Sequence, residues 1–393
     1  MNLEILHPRI QEFINLNIDN SVSKLALQKN PFPEIEWKLI LNQIEAKAKA
    51  RHKLPIWFST PNIYYPSKIS VEQTSSEATA LYKSSLVSGE NLIDLTGGFG
   101  IDDYYFSKKI KNVTHCEINT ELSQIVQHNY IQLQTNNICC CNGDSYETLQ
   151  KTTTQWDWIY IDPSRRNETK GKVFMLKDCL PNVPENLDFY FKKAKSILIK
   201  TAPILDLSAG ISELNHIKTI HIVAVDNEVK ELLWELNHGY HGAIKIETVN
   251  IVKDQIETFD FNMNENQSLP NLSLPLTYLY EPNSAIMKSG GFDEIGHYYQ
   301  LNKLHKHSHL YTSNELVSFP GRVFEIQKSF PYNKTEMKSN LENQKANITT
   351  RNFSDSVDSI RKKWKIKDGG NLYCFFTTDE NNNKIVLICT KIK

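Results

Sequence analysis

A mostly parallel, doubly wound α/β sheet is the fold this sequence predicts, and three observations predict it. Strand-like apolar runs alternate with polar, helix-compatible segments between residues 89 and 265. The first of these runs leads into a glycine-rich turn, "DLTGGFG" at 94–100, where the backbone can approach a ligand closely. Acidic residues stand at or just after the ends of four successive runs: Asp94, Glu117, Asp144 and Asp162.

The totals are compatible with that fold. The chain has 393 residues, 40% hydrophobic and 10% aromatic, which is ample for packed cores in two or three domains. No run approaches the ~20 apolar residues of a membrane span. The first residues lack the basic-then-apolar order of a secretory signal. Seven cysteines, with three adjacent at 139–141, form neither a disulfide framework nor a C-x-x-C zinc pattern. Reduced thiols in a cytoplasmic protein are therefore expected. Net charge is only −1, but it is unevenly spread. Residues 320–393 carry 14 Lys+Arg against 8 Asp+Glu, while residues 89–319 carry 20 against 29.

Element by element, residues 1–88 read as helical. "EIEWKLILNQIEAKAKARHK" (34–53) places Ile35, Leu39, Leu41, Ile44 and Ala48 near helical spacing. Pro55, Pro61 and Pro66 then break the chain. Thr74 with Glu77 three residues later forms a capping-box pattern that predicts a helix start. The next region, 89–265, holds seven strand-like runs at 91–95, 112–118, 138–141, 158–162, 196–201, 219–225 and 243–252. "INTELSQIVQHNYIQLQ" and "NEVKELLWEL" read as intervening helices. One helix and the turn 239–242 before the last run predict that this run reverses direction. After the polar linker 264–275, a short segment (275–318) precedes a β-α-β-α-β-β order from Arg322 onward. That order fits a small open sheet with helices on one face, closed by a hairpin at 380–383.

The turn at 94–100 bears on the cofactor. A dinucleotide fingerprint is G-x-G-x-x-G, and this stretch has no glycine at the sixth position. Asp94 sits instead at the strand end before the glycines, which resembles the acidic-x-Gly-x-Gly-x-Gly motif of class I S-adenosylmethionine-dependent methyltransferases. Thr96 stands at the first glycine position, followed by Gly97, with Gly98 and Gly100 at the other two. Glu117, 19 residues after Gly98, has the spacing of a carboxylate that binds ribose hydroxyls, and Asp144 that of an acceptor for an adenine amine. Any one of these is an ordinary turn residue. Five in order, ending with Asp162, point to a cofactor site.

"DPSRR" (162–166) ends the fourth run, beside the cleft where open α/β sheets bind ligands. In methyltransferases acting on exocyclic amines this place carries (Asp/Asn/Ser)-Pro-Pro-(Tyr/Phe/Trp), and the ring stacks on the base. Here Ser164 and Arg165 follow Asp162 and Pro163, so the stacking ring is missing. An arginine plane can take its place on a base or pair with a phosphate. Asp162 is expected to orient the acceptor, and Arg165 and Arg166 to clamp it, with Pro163 and Ser164 shaping the loop.

Long stretches then resemble one family. "EQTSSEATALYKSSLVSG" (72–89), "DLTGGFGID" (94–102), "DPSRR", "HIVAVDNEVKELLW" (221–234), "YLYEPNSAIMKSGGFD" (280–293), "LHKHSHLYTS" (304–313) and "FPGRVFEI" (319–326) are similar to bacterial class I methyltransferases with a C-terminal THUMP-like domain. The likeness covers most of the chain beyond residue 40. It implies a helical N-terminal region (1–88), a Rossmann-like methyltransferase domain (89–265), a small ferredoxin-like segment (275–318) and an α+β THUMP-like domain (319–393). It also implies S-adenosyl-L-methionine as cofactor and an RNA substrate, rRNA or tRNA. Arg351, Arg361, Lys362, Lys363 and Lys365 are then candidate RNA contacts, although a solvated helix face is the commoner reason for such a run.

Other features are set aside. His305, His307 and His309 would share one face of a strand but lack acidic or cysteine partners, so no metal site is expected. Cys139, Cys140 and Cys141 read as a buried strand of small residues, and Glu77 as a helix cap. The stretch 73–77 has a second reading, folding over the cofactor. Three functions stay open: an RNA base methyltransferase, a methyltransferase for a protein or small molecule, and an RNA-binding protein whose methyltransferase domain is inactive.

Overall fold

The computed structural model describes residues 1–165, 175–253, 255–263 and 270–392, with the Arg165 side chain excepted. The chain forms two compact units, residues 1–218 with 232–242, and residues 219–231 with 243–393.

The first unit begins with helices, the longest being Trp37–Lys53. Its buried stripe runs through Ile40, Gln43, Ile44 and Ala50, so Leu39, Leu41 and Ala48 flank the contact instead of forming it. Gln43 can be buried because both halves of its amide bond to the Tyr65 main chain, at 2.6 and 3.0 Å. These helices have no core of their own. Ile40, Ile44, Trp57 and Tyr65 join Phe99, Ile101, Val126 and Tyr130 in one apolar cluster.

Strands β1 (Gly89–Asp94), β2 (Ile110–Glu117), β3 (Ile138–Asn142), β4 (Trp156–Ile161) and β5 (Ala194–Thr201) follow. Then come β6 (Ile217–Val225) and β7 (Glu228–Asn237). Within this unit the strand order is β7-β5-β4-β1-β2-β3. All neighbours are parallel except β7, which runs antiparallel to β5. Strand order reverses between β1 and β4, so the carboxyl ends of these two strands frame a cleft.

Two expectations are corrected here. "NEVKELLWEL" is not a helix but strand β7, and β7 is the strand that reverses direction. Its Glu and Lys residues favour a helix in isolation, but Leu232, Leu233, Trp234 and Leu236 are fully buried. Burial on both faces overrides local propensity. The run expected to reverse, now β8 (Lys245–Val252), lies parallel to β6 and forms an antiparallel pair with β9 (Gln255–Asn262).

In the second unit, β10 (Tyr278–Pro282), β11 (Asn302–Lys303), β12 (Tyr311–Ser313), β13 (Gly321–Pro331), β14 (Asn347–Thr350), β15 (Tyr373–Thr378) and β16 (Lys384–Lys391) make one seven-stranded sheet. The order is β11-β12-β10-β13-β16-β15-β14. The β-α-β-α-β-β succession and the β15–β16 hairpin are present, but the sheet does not stop at Gly321. β10 adds to β13 with Leu279 opposite Phe324. Helices Lys334–Asn340 and Val357–Trp364 set Met337, Ile360 and Trp364 against Phe330, Cys374, Phe376 and Val386 on one face. Among the described residues no helix is long and apolar enough to cross a membrane.

Candidate active site

The glycine turn is held from below. Asp94, 2% exposed, accepts from the Thr96 amide (2.7 Å) and from the Thr96 hydroxyl (3.0 Å). The same hydroxyl accepts from the Asp162 amide at 2.7 Å. Thr96, a departure from the glycine motif, thus ties the end of β1 to the start of the loop after β4. A Cβ on Gly97 would overlap the His115 ring, and one on Gly100 the Tyr130 hydroxyl, which itself donates to the Gly100 carbonyl at 2.9 Å. Gly100 also adopts φ of +73°, a conformation that costs little only for glycine. Gly98, at φ of +56°, is less crowded: a Cβ there would meet only the Thr96 carbonyl oxygen, at 3.7 Å.

Beneath the turn lies a buried acid pair with a histidine. Burial, and then the neighbouring Asp103, hold Asp94 well above the usual carboxylate range. Burial, and then Asp102, do the same to Asp103. Burial lowers the His115 imidazole below its ordinary value. The 2.7 Å contact between His115 Nδ1 and Asp103 Oδ2 is therefore a hydrogen bond between groups driven toward neutrality, not an ion pair.

The Glu117 carboxylate accepts from the Gly98 amide (3.0 Å) and the Asn119 amide (2.7 Å), which fixes it at the carboxyl end of β2. Asp144 is exposed and caps helix Ser145–Lys151, accepting from the Glu147 amide at 3.0 Å. Ile118, beside Glu117, is 72% exposed.

At the end of β4, Asp162 is half-buried and its Oδ2 accepts from the Lys200 ammonium at 2.5 Å. Pro163 is buried and Ser164 exposed. The Ser164 and Arg165 main chain pairs with Leu180 and Cys179 in a two-stranded ladder. Arg166 lies outside the described residues. Asp102, on the helix Ile101–Phe106 after the glycine turn, accepts from Tyr160 (2.7 Å) and Ser75 (2.9 Å) and meets the fully buried Lys83 ammonium at 3.3 Å. Burial pushes this carboxyl up, but Lys83 and then Lys200 outweigh it, so it sits below its ordinary value. The stretch 73–77 therefore abuts the glycine turn through Ser75. Its helix begins at Glu77 with Ser76, not Thr74, as the cap, and the Glu77 carboxylate accepts from the Ile56 amide at 2.6 Å. Sequence reading missed Lys83, Asp102, Asp103, His115 and Lys200. The available signal was a lysine inside otherwise apolar runs, "SILIKT" and "TALYKSSL".

Two further expectations are corrected. Residues 305–309 form a turn, not a strand, and His305 bonds to Asn352 and Asn382. Among the described residues no cluster of three or more metal-ligating side chains is placed to hold a metal ion. Cys139 is exposed and Cys140 and Cys141 are half-buried, because β3 is the edge strand of its sheet. Hydrogen bonding from Cys116 pushes Cys141 down to about 6.

On the basic helix Val357–Trp364, Lys362 and Lys363 are exposed, as is Lys365 just beyond it. Lys363 lies over the rings of Tyr332 (5.3 Å) and Trp364 (5.4 Å). Arg361 is half-buried and paired with Asp368 at 2.5 Å. Arg351 is engaged with Glu281 at 3.0 Å.

A ferredoxin-like domain family matches residues 278–320, and a THUMP domain-like family matches residues 321–391. No curated protein matches the chain. The crystal structure of a candidate methyltransferase from Porphyromonas gingivalis W83 aligns with 31% identity over 99% of this chain and 98% of that one, with a TM-score of 0.88. M. capricolum TrmK bound to S-adenosyl-homocysteine aligns at 18% identity over 42% of this chain and 69% of that one (TM-score 0.33). Pyrococcus abyssi tRNA (uracil-54, C5)-methyltransferase, also with S-adenosyl-L-homocysteine, aligns at 18% over 45% and 40% (TM-score 0.31). These last two overlaps are too partial to build on. The near-complete match and the C-terminal domain together decide the matter: the chain belongs to the class I methyltransferase family that carries a C-terminal THUMP-like domain.

Proposed function

We propose that the protein transfers the methyl group of S-adenosyl-L-methionine to a base in RNA. The observation that carries this reading is the placement of Asp94, Glu117, Asp144 and Asp162 at the carboxyl ends of β1 to β4 around an open glycine turn. The residues present fit the cofactor. Gly98 leaves room for close approach, the anchored Glu117 carboxylate suits ribose hydroxyls, and the exposed Ile118 offers the apolar contact that a purine would cover. The cofactor, when bound, supplies an electrophilic methyl group on a sulfonium. The protein's own part is alignment: Asp162 accepts from the acceptor amine and directs its electron pair, and placement supplies most of the rate. The basic helix with Lys362, Lys363 and Lys365 would hold RNA through phosphates, so binding would weaken with salt.

One observation favours a second reading, an RNA-binding protein without turnover. Arg165, not an aromatic residue, stands where amine methyltransferases place a stacking ring. Calorimetric titration of S-adenosylmethionine into wild type and Asp94→Ala tests the cofactor first. Binding that the variant loses supports the site, and no binding by well-folded wild type defeats it. Transfer of labelled methyl groups to RNA from a strain lacking the gene then separates the two readings.

A further inference from the structure

Asp162 has a neighbour that the motif does not contain. Parallel register sets Ile161 beside Ile199, so the next residues, Asp162 and Lys200, come side by side as the two strands end. The Lys200 ammonium lies 2.5 Å from Asp162 Oδ2, and its side chain is only 13% exposed. An ammonium this buried is not a solvent-swept partner that trades places with water. It holds one carboxylate geometry, and removing Asp162 takes a charge partner from a nearly buried ammonium. Asp162 Oδ1 takes no donor from the described residues, while the Asp162 amide is taken by Thr96. The Lys200 charge also helps to lower the Asp102 carboxyl, which Tyr160, Ser75 and Lys83 hold in place. Lys83 has no exposed surface and belongs to helix Glu77–Leu86. Two ion pairs thus stand in this unit, Lys83 with Asp102 and Lys200 with Asp162.

We propose that Lys200 is a positioning residue: it occupies one oxygen of Asp162 and so presents the other to the methyl acceptor. The role rests on the methyl-transfer reading above. It does not require Lys200 to touch substrate.

The test uses the full chain as wild type, Lys200→Met, Lys200→Arg and Asp162→Asn. In protein labelled with nitrogen-15 lysine, the Lys200 ammonium should give a slowly exchanging NMR signal that Asp162→Asn abolishes. In methyl transfer to RNA from a strain lacking the gene, Lys200→Met should lower kcat on the order of 100-fold. KM and S-adenosylmethionine affinity should stay near wild type, and Lys200→Arg should recover most of the rate. A raised KM with unchanged kcat would make Lys200 a substrate contact and overturn the proposal. Parallel loss of cofactor affinity and thermal stability, with no rescue by arginine, would make it merely structural and overturn it as well. If the wild type itself transfers nothing to RNA, the substrate reading fails and the positioning role falls with it. The ammonium signal then still distinguishes that failure from the absence of the ion pair.

Discussion

Two carboxylates, one in each unit, receive cations in different ways. Glu281 in the second unit is 3% exposed and has both oxygens occupied, Oε2 by Arg322 and Oε1 by Arg351. Asp162 in the first unit has one oxygen held by Lys200 and the other without a donor among the described residues. With four guanidinium nitrogens on it, two at each oxygen, Glu281 has no lone-pair position left for a ligand, so it acts as a staple. A half-saturated carboxylate keeps an acceptor in a fixed direction, which is what an incoming amine requires. Sequence alone ranked these residues otherwise, since it put Arg351 with the RNA-binding side chains.

Breaking the staple should have the largest effect. Glu281→Ala leaves two guanidinium groups facing each other and should cost about 3 kcal/mol, the low end for a broken buried pair because both arginines keep about a third of their surface. Thermal unfolding would show it, with S-adenosylmethionine affinity unchanged. Asp162→Asn should do the converse, lowering methyl transfer about 100-fold at unchanged cofactor affinity, as measured by single-turnover kinetics. If both variants lose stability alike, the contrast is wrong. Gly100→Ala should cost roughly 2 kcal/mol in chemical denaturation, from the strained φ and the overlap with Tyr130.

A smaller effect sharpens the electrostatics. Asp103 is pushed up by burial, so above about pH 4 the folded chain keeps a proton that the unfolded chain has released. Folded molecules then bind more protons, and stability falls as pH rises toward the folded value. Asp103→Asn should remove up to ~1.4 kcal/mol per pH unit of that slope in denaturant titrations. His115, lowered by burial, acts on the other flank. The unfolded chain takes up the proton first, so stability falls as pH drops below 6.5, and this flank should survive in the variant. The smallest effect concerns the second unit's surface. Changing Lys362, Lys363 and Lys365 to Gln should weaken RNA binding and flatten its logarithmic salt dependence by about 0.7 for each phosphate left without its lysine.

The readable parts of this chain were those encoded locally. Strand–helix alternation, the glycine turn, acidic strand ends and the C-terminal element order all depend on neighbours in sequence. Strand β7 was misread because Glu228, Lys230, Glu231 and Glu235 favour a helix until burial of Trp234 and its neighbours decides otherwise. Charge partners were invisible for a different reason. Asp162 and Lys200 are 38 residues apart, Ser75 and Asp102 27 apart, and only strand register and helix docking bring each pair together.

Thr96 has a last consequence. One hydroxyl donates to Asp94 below the glycine turn and accepts from the amide of Asp162, so neither half of the cleft can shift without the other noticing. Affinities of two ligands that press on one such joint are linked, and by the same factor in each direction. A Thr96→Gly variant would match the general motif better, yet it should uncouple cofactor from acceptor: each would bind as though the other were absent.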